Sequence, residues 1–200
     1  MYVVRMVCTA KGDSPMRLMR LALALVLAAI LAGPVGAATI AITPDNAWHA
    51  FDVDSFSAIS GGLEWIDLGG EALTFEFTTQ TPAILTVVDS GFGGDRFQVY
   101  DNGQLLGETL AGADTYPDSL VVDFDAALAD ARWSRGVYAL AAGNHSITGL
   151  LSRSALDHTG LPLDATVGAI RVAAVPEPST WAMLATGLLM ITSIAYRRKH

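Results

Sequence analysis

A mainly-β fold, an antiparallel β-sandwich or jelly-roll-like domain, is what the sequence predicts for residues 38–174. Two observations carry it. Apolar and polar residues alternate with period two in several short runs, which places one face of each run in a core. Turn-forming Gly, Pro, Asn and Asp separate those runs at short intervals, as in all-β domains. A third observation separates this domain from its flanks. The chain has 200 residues and is 52% hydrophobic, but its longest apolar runs lie near the two ends, 21–31 and 181–196. The full prediction is therefore an N-terminal signal helix, a β-sandwich ectodomain and a C-terminal transmembrane helix.

The charge follows the same partition. Between Ala38 and Pro178 there are five arginines, no lysine and nineteen of the twenty acids. A surface this acidic excludes nucleic acid as a partner, since phosphate binding needs clustered Lys and Arg. It favours solubility and is compatible with divalent cations. The single cysteine, Cys8, lies ahead of the predicted cleavage point. Stability of the exported part must then come from its core rather than from disulfides.

In chain order, Met16-Arg17-Leu18-Met19-Arg20 forms a basic region and Leu21 to Leu31 an unbroken apolar one. Gly33-Pro34 breaks the helix, and Val35-Gly36-Ala37 supplies small residues for cleavage. Residues 1–37 thus read as a secretory signal peptide, with Met16 a candidate start, because residues 1–15 add nothing a signal needs.

Thr39 to Thr43 alternates and predicts a strand. Leu73 to Thr78 alternates more cleanly, with Leu73, Phe75 and Phe77 inward. Ala83 to Asp89 is a short apolar run suited to a sandwich core. Arg96 to Tyr100 alternates again. Asn102-Gly103 then predicts a type I′ hairpin into Leu105-Leu106-Gly107, because both residues tolerate positive φ. Asp123 to Arg135 is alanine-rich and predicts a helix capped by Asp123 or Asp125. Val137 to Leu140 and His145 to Leu151 predict two strands, Ser152 to Thr166 a long loop, and Val167 to Val175 the closing strand. There is no internal repeat.

The tail, residues 175–200, has three parts. Pro176-Glu177-Pro178 is held extended by its prolines. Trp181 to Tyr196 carries no charge and would span about 24 Å as a helix. That is short of a hydrocarbon core of about 30 Å, but aromatic residues stand at both ends, where interfacial aromatics belong. Arg197-Arg198-Lys199 then marks the cytoplasmic side. This arrangement resembles the PEP-CTERM sorting signal. The resemblance implies an exosortase-like processing enzyme as a partner, a precursor anchored in the inner membrane, and delivery to the cell surface or beyond. The block Val87 to Gly107 and the later Leu140 to Thr148 resemble segments recurring in uncharacterised exported bacterial proteins with such tails. That resemblance implies a β-sandwich and names no activity.

Candidate chemistry in the ectodomain is sparse. Asp89, Asp95 and Asp101 could give oxygens to Ca²⁺, with intervening glycines letting the backbone approach. The competing reading is that they cap turns. Asp114, Asp118, Asp123 and Asp125 read as a solvated acidic loop. Trp48, Trp65 and Trp133, with Tyr100, could form a sugar-stacking platform, or could be packing residues. His49, His145 and His158 lack metal-binding spacing. There is no Gly-x-Ser-x-Gly elbow and no P-loop, and Asp157-His158-Thr159-Gly160 departs from the aspartic-protease Asp-Thr-Gly. The expectation is a non-catalytic structural or adhesive surface or matrix protein without an obligate cofactor. The alternatives are a carbohydrate- or polymer-binding module, with extracellular polysaccharide as partner, and a secreted hydrolase.

Overall fold

The computed structural model describes residues 37–175 and 183–191. The predicted signal peptide up to residue 36 lies outside the described residues. So do Pro176, Glu177, Pro178, Trp181, Tyr196, Arg197, Arg198 and Lys199. Residues 183–191 are helical, within the predicted span 181–196. Among the described residues, no helix is long and apolar enough to cross a membrane.

Ten strands and one short helix make up the domain. They are β1 (Ala38–Ala41), β2 (His49–Asp54), β3 (Leu73–Thr79), β4 (Ala83–Phe92), β5 (Arg96–Asp101), β6 (Gln104–Glu108), β7 (Leu120–Val121), α1 (Phe124–Ala129), β8 (Arg135–Leu140), β9 (Gly143–Arg153) and β10 (Ala165–Ala174). One sheet has the order β1-β3-β9-β5-β6. The other has the order β2-β10-β4-β7, with β8 also paired to β4. Every strand pair is antiparallel except β1 with β3, which is parallel. The predicted strands are all present, and the sheets stack as a sandwich.

The core forms because inward residues of both sheets alternate with outward ones. Leu73, Phe75 and Phe77 on β3, Leu85 and Val87 on β4, Phe97 and Val99 on β5, Ile147 on β9 and Ile170 and Val172 on β10 are all buried in one cluster. At its centre Trp65 stacks on Phe51, ring centroids 3.9 Å apart, with Phe97 edge-on to both. Two glycines on facing sheets make room for this stack. A Cβ on Gly149 of β9 would collide with the Trp65 indole, and one on Gly168 of β10 with the Phe51 ring.

The back of the second sheet carries a smaller cluster of Val88, Ala127, Trp133 and Ala169, covered by α1. The helix is much shorter than the predicted 123–135. Asp123 caps its start, its carboxylate accepting from the Ala126 amide at 2.8 Å. The helix ends at Ala129 because Asp130 turns the chain, bonding the Arg132 amide and guanidinium, and the chain must reach β8 five residues later.

Two strands were not predicted. In β2 the alternation is Phe51 and Val53 in, Asp52 and Asp54 toward the surface, so a period-two signal is present but rests on only two apolar residues. β7 has two residues and no pattern to find. The predicted hairpin is as expected, with φ of 50° at Asn102 and 77° at Gly103.

Candidate functional site

The sandwich interior is apolar in its middle and polar at both ends. Asp95 and Asp101 bracket β5, and six residues of extended chain put roughly 20 Å between them. This corrects the predicted three-aspartate cluster: Asp89 and Asp95 come together, and Asp101 belongs to the far end.

At the Asp101 end the Asp101 carboxylate and both ring nitrogens of His145 have partners. Asp101 Oδ2 meets His145 Nδ1 at 2.8 Å, and Asp101 Oδ1 accepts the Ser146 amide at 3.2 Å. His145 Nε2 donates to the Ala141 carbonyl at 3.0 Å, and the ring stacks on Phe77. This network ties the β5–β6 hairpin to β9.

The other end is built differently. Val88 faces α1, so its neighbour Asp89 on β4 points between the sheets, in the row of Leu85 and Val87. Asp89 and Asp95 are 0% and 1% exposed. Asp95 accepts the Ala155 amide at 2.7 Å. The Thr166 hydroxyl lies 3.4 Å from Asp89 Oδ1 and 3.3 Å from the Ser90 carbonyl. Asp89 Oδ2 is buried with no hydrogen-bond partner. Burial, then the charge of Asp95, pushes the Asp89 carboxyl up to about 9. Burial pushes Asp95 up to about 6, against the Ala155 amide, Thr166 and the more distant Arg153. The Arg153 guanidinium is committed elsewhere: it donates to the Gly94 carbonyl and to Asp114 at 2.8 Å. Neither buried aspartate caps a turn. Of the residues between the two aspartates, Ser90 to Phe92 belong to β4.

The remaining candidates disperse. Asp114 pairs with Arg153, Asp123 caps α1, and Asp125 bonds both Arg171 and the Trp48 indole at 3.1 Å. Trp65 and Trp133 are 0% and 1% exposed, one in each core cluster. Trp48 lies against Phe124 with the Arg171 guanidinium 4.4 Å over its ring. The three tryptophans are therefore packing residues, and the sugar-platform reading is corrected. Asp157 caps its own turn, accepting from the Thr159 and Leu161 amides. Among the described residues no group of three or more His, Cys, Asp or Glu is placed to hold a metal ion.

The prediction overlooked Thr166 by starting the last strand at Val167. Position 166 shares parity with buried Gly168, Ile170 and Val172, so extending the alternation one step back would have pointed it inward.

The last strand, β10, ends at Ala174, and the proline-rich stretch begins two residues later. Residues 174–199 match the PEP-CTERM protein-sorting motif. The PEP-CTERM tail implies an exported precursor that passes the membrane and is processed by exosortase-type machinery. No curated protein matches the chain. Among solved structures the chain is similar to the pre-peptidase C-terminal domain of a collagenase from Bacillus anthracis. The identity is 6%, the TM-score is 0.36, and the likeness covers 70% of this chain and 97% of that one.

Proposed function

We propose that this chain is a non-catalytic surface or matrix protein with a structural or adhesive role, delivered by its PEP-CTERM tail. The precursor is held in the inner membrane by the helix Trp181 to Tyr196, with Arg197, Arg198 and Lys199 on the cytoplasmic side. Processing near Pro176-Glu177-Pro178 then frees the sandwich. The observation that supports this is the junction. The tail motif begins where β10 ends, and the last backbone bond to the sheet is Val175 to the Pro82 carbonyl at 2.8 Å. Among the described residues a cut after that point removes no strand and breaks no ladder bond, so the freed domain keeps its fold.

Intact-mass measurement on released protein tests the processing. The released form should lack Trp181 to His200, and a host without an exosortase should retain the chain in its membrane fraction. A released form still carrying the helix would overturn the processing step. The role is tested by deleting the chain and measuring cell–surface and cell–cell adhesion. Adhesion should fall and recover on re-expression. Unchanged adhesion, together with polymer breakdown by the purified protein, would instead make it an enzyme.

A further inference from the structure

We propose that Asp89, Asp95, the Thr166 hydroxyl and the Ser90 carbonyl form a binding site for one calcium-sized divalent cation at the end of the sandwich interior. These groups come from β4, from the start of β5 and from β10, so both sheets contribute. Four features point to a cation.

The first is the unpartnered oxygen. Asp89 is fully buried, and its Oδ2 has no donor. A buried carboxylate oxygen left bare costs free energy, and native structures rarely leave one without a partner or an ion. The second is a shortage of counter-charge. Two buried carboxylates lie close together, and the Arg153 guanidinium that acts on Asp95 is engaged by Asp114 and the Gly94 carbonyl.

The third feature is spacing. Thr166 Oγ1 is 3.4 Å from Asp89 Oδ1 and 3.3 Å from the Ser90 carbonyl oxygen. Hydrogen bonds between oxygens are mostly about 2.7–2.8 Å, so these contacts are loose. Calcium–oxygen bonds of about 2.4 Å, at right angles, put neighbouring ligands about 3.4 Å apart. Magnesium bonds of about 2.1 Å would put them about 3.0 Å apart. These two separations are closer to the calcium value than to the magnesium one.

The fourth feature is access. Thr166 is half-buried and lines an open groove with Gly91, Phe92, Asp52, Asp54 and Asp67. Asp54 and Asp67 already accept local backbone amides. They do not serve as ligands, but their charge raises the local cation concentration at the mouth. Waters entering by the same groove complete the coordination, as in most calcium sites.

The test uses the full chain in mild detergent, stripped with a chelator. Calcium titration followed by calorimetry should show one saturable site, with magnesium binding at least tenfold more weakly. Calcium should raise Tm further than NaCl of equal ionic strength does. Thr166→Val keeps the shape and removes one ligand, so it should weaken binding at least tenfold. Asp89→Asn should abolish it, while Asp101→Asn, at the far end, should bind as the parent does. Circular dichroism confirms that each variant is folded, and Thr166→Val serves if Asp89→Asn is not. Absence of a saturable site up to about 10 mM, roughly tenfold above the weak end of extracellular calcium modules at about 1 mM, would overturn the proposal. So would wild-type affinity in Thr166→Val.

Discussion

Buried polar groups close the two ends of the same interior, one carboxylate with a histidine at one end and two carboxylates at the other, and they are satisfied to very different degrees. At the Asp101 end, a histidine, a backbone amide and a carbonyl complete the network. At the Asp89 end, one oxygen is bare and the two carboxyls repel each other. The first is self-sufficient and acts as a structural clasp. The second is left with capacity that a proton, or the proposed cation, would fill. Burial alone therefore does not mark a site; burial with unmet hydrogen-bonding capacity does.

The comparison assumes that the ends are separated by a rigid apolar middle. Gly149→Ala tests this most severely. Its Cβ would drive Trp65 off Phe51, and overpacking of this kind costs about 1–3 kcal/mol. We expect one cooperative transition at a much lower Tm by calorimetry, with both ends losing order together. A normal Tm would mean the Trp65–Phe51 stack can shift freely.

Removing a partner at each end should have opposite effects. Asp101→Ala leaves His145 Nδ1 and the Ser146 amide without their acceptor, a loss of about 1–3 kcal/mol. Asp89→Asn in calcium-free buffer at pH 8 keeps the shape and removes a carboxyl that folding holds protonated far above its unfolded value, so stability should hold or rise. Urea denaturation of both variants measures the pair. Equal losses would mean that the two clusters are alike.

Most of the sandwich was legible because its strands carry inward rows of large apolar residues, as in Leu73, Phe75 and Phe77. The hairpin was legible because Asn102-Gly103 has few other conformational uses. The helix was overestimated because Ala126 to Ala131 has high local propensity, while the turn at Asp130 is imposed by the sheet. The site was half legible. Asp89 and Asp95 could be singled out as acids near glycines, but their juxtaposition depends on β4 and β5 lying in different sheets. Thr166 comes from a third strand 71 residues beyond Asp95. Asp101 was grouped with them because sequence proximity hides the length of β5. The tryptophans could be placed only by packing.

Acid should separate the ends as well. Raised carboxyl pKa values in the folded state mean that the folded chain holds protons the unfolded chain releases. For Asp95 and Asp89 that stabilisation is complete below about 4, the unfolded value. It is lost as pH rises through about 6 and then about 9. Asp114, lowered by Arg153 beside it, works the other way, but it is largely exposed and contributes little. Calcium-free protein should therefore melt lower at pH 8 than at pH 5, and Asp89→Asn should flatten that slope. A Tm that rises across this range would show that the pair does not dominate.

The smallest effect is expected at the tip of the hairpin, beyond Asp101. Gly103 has φ of 77°, and a Cβ there would meet nothing within 4 Å. Any cost of Gly103→Ala is therefore backbone strain alone, about 1 kcal/mol. The substitution leaves Asp101 and His145 chemically intact. If the clasp is held by its own hydrogen bonds, Gly103→Ala should lower Tm slightly and leave the His145 ring resonances in NMR unshifted. If the hairpin turn positions Asp101, those resonances should shift and the loss should approach that of Asp101→Ala. The first outcome makes the far end a self-contained network. The second makes it dependent on a two-residue turn.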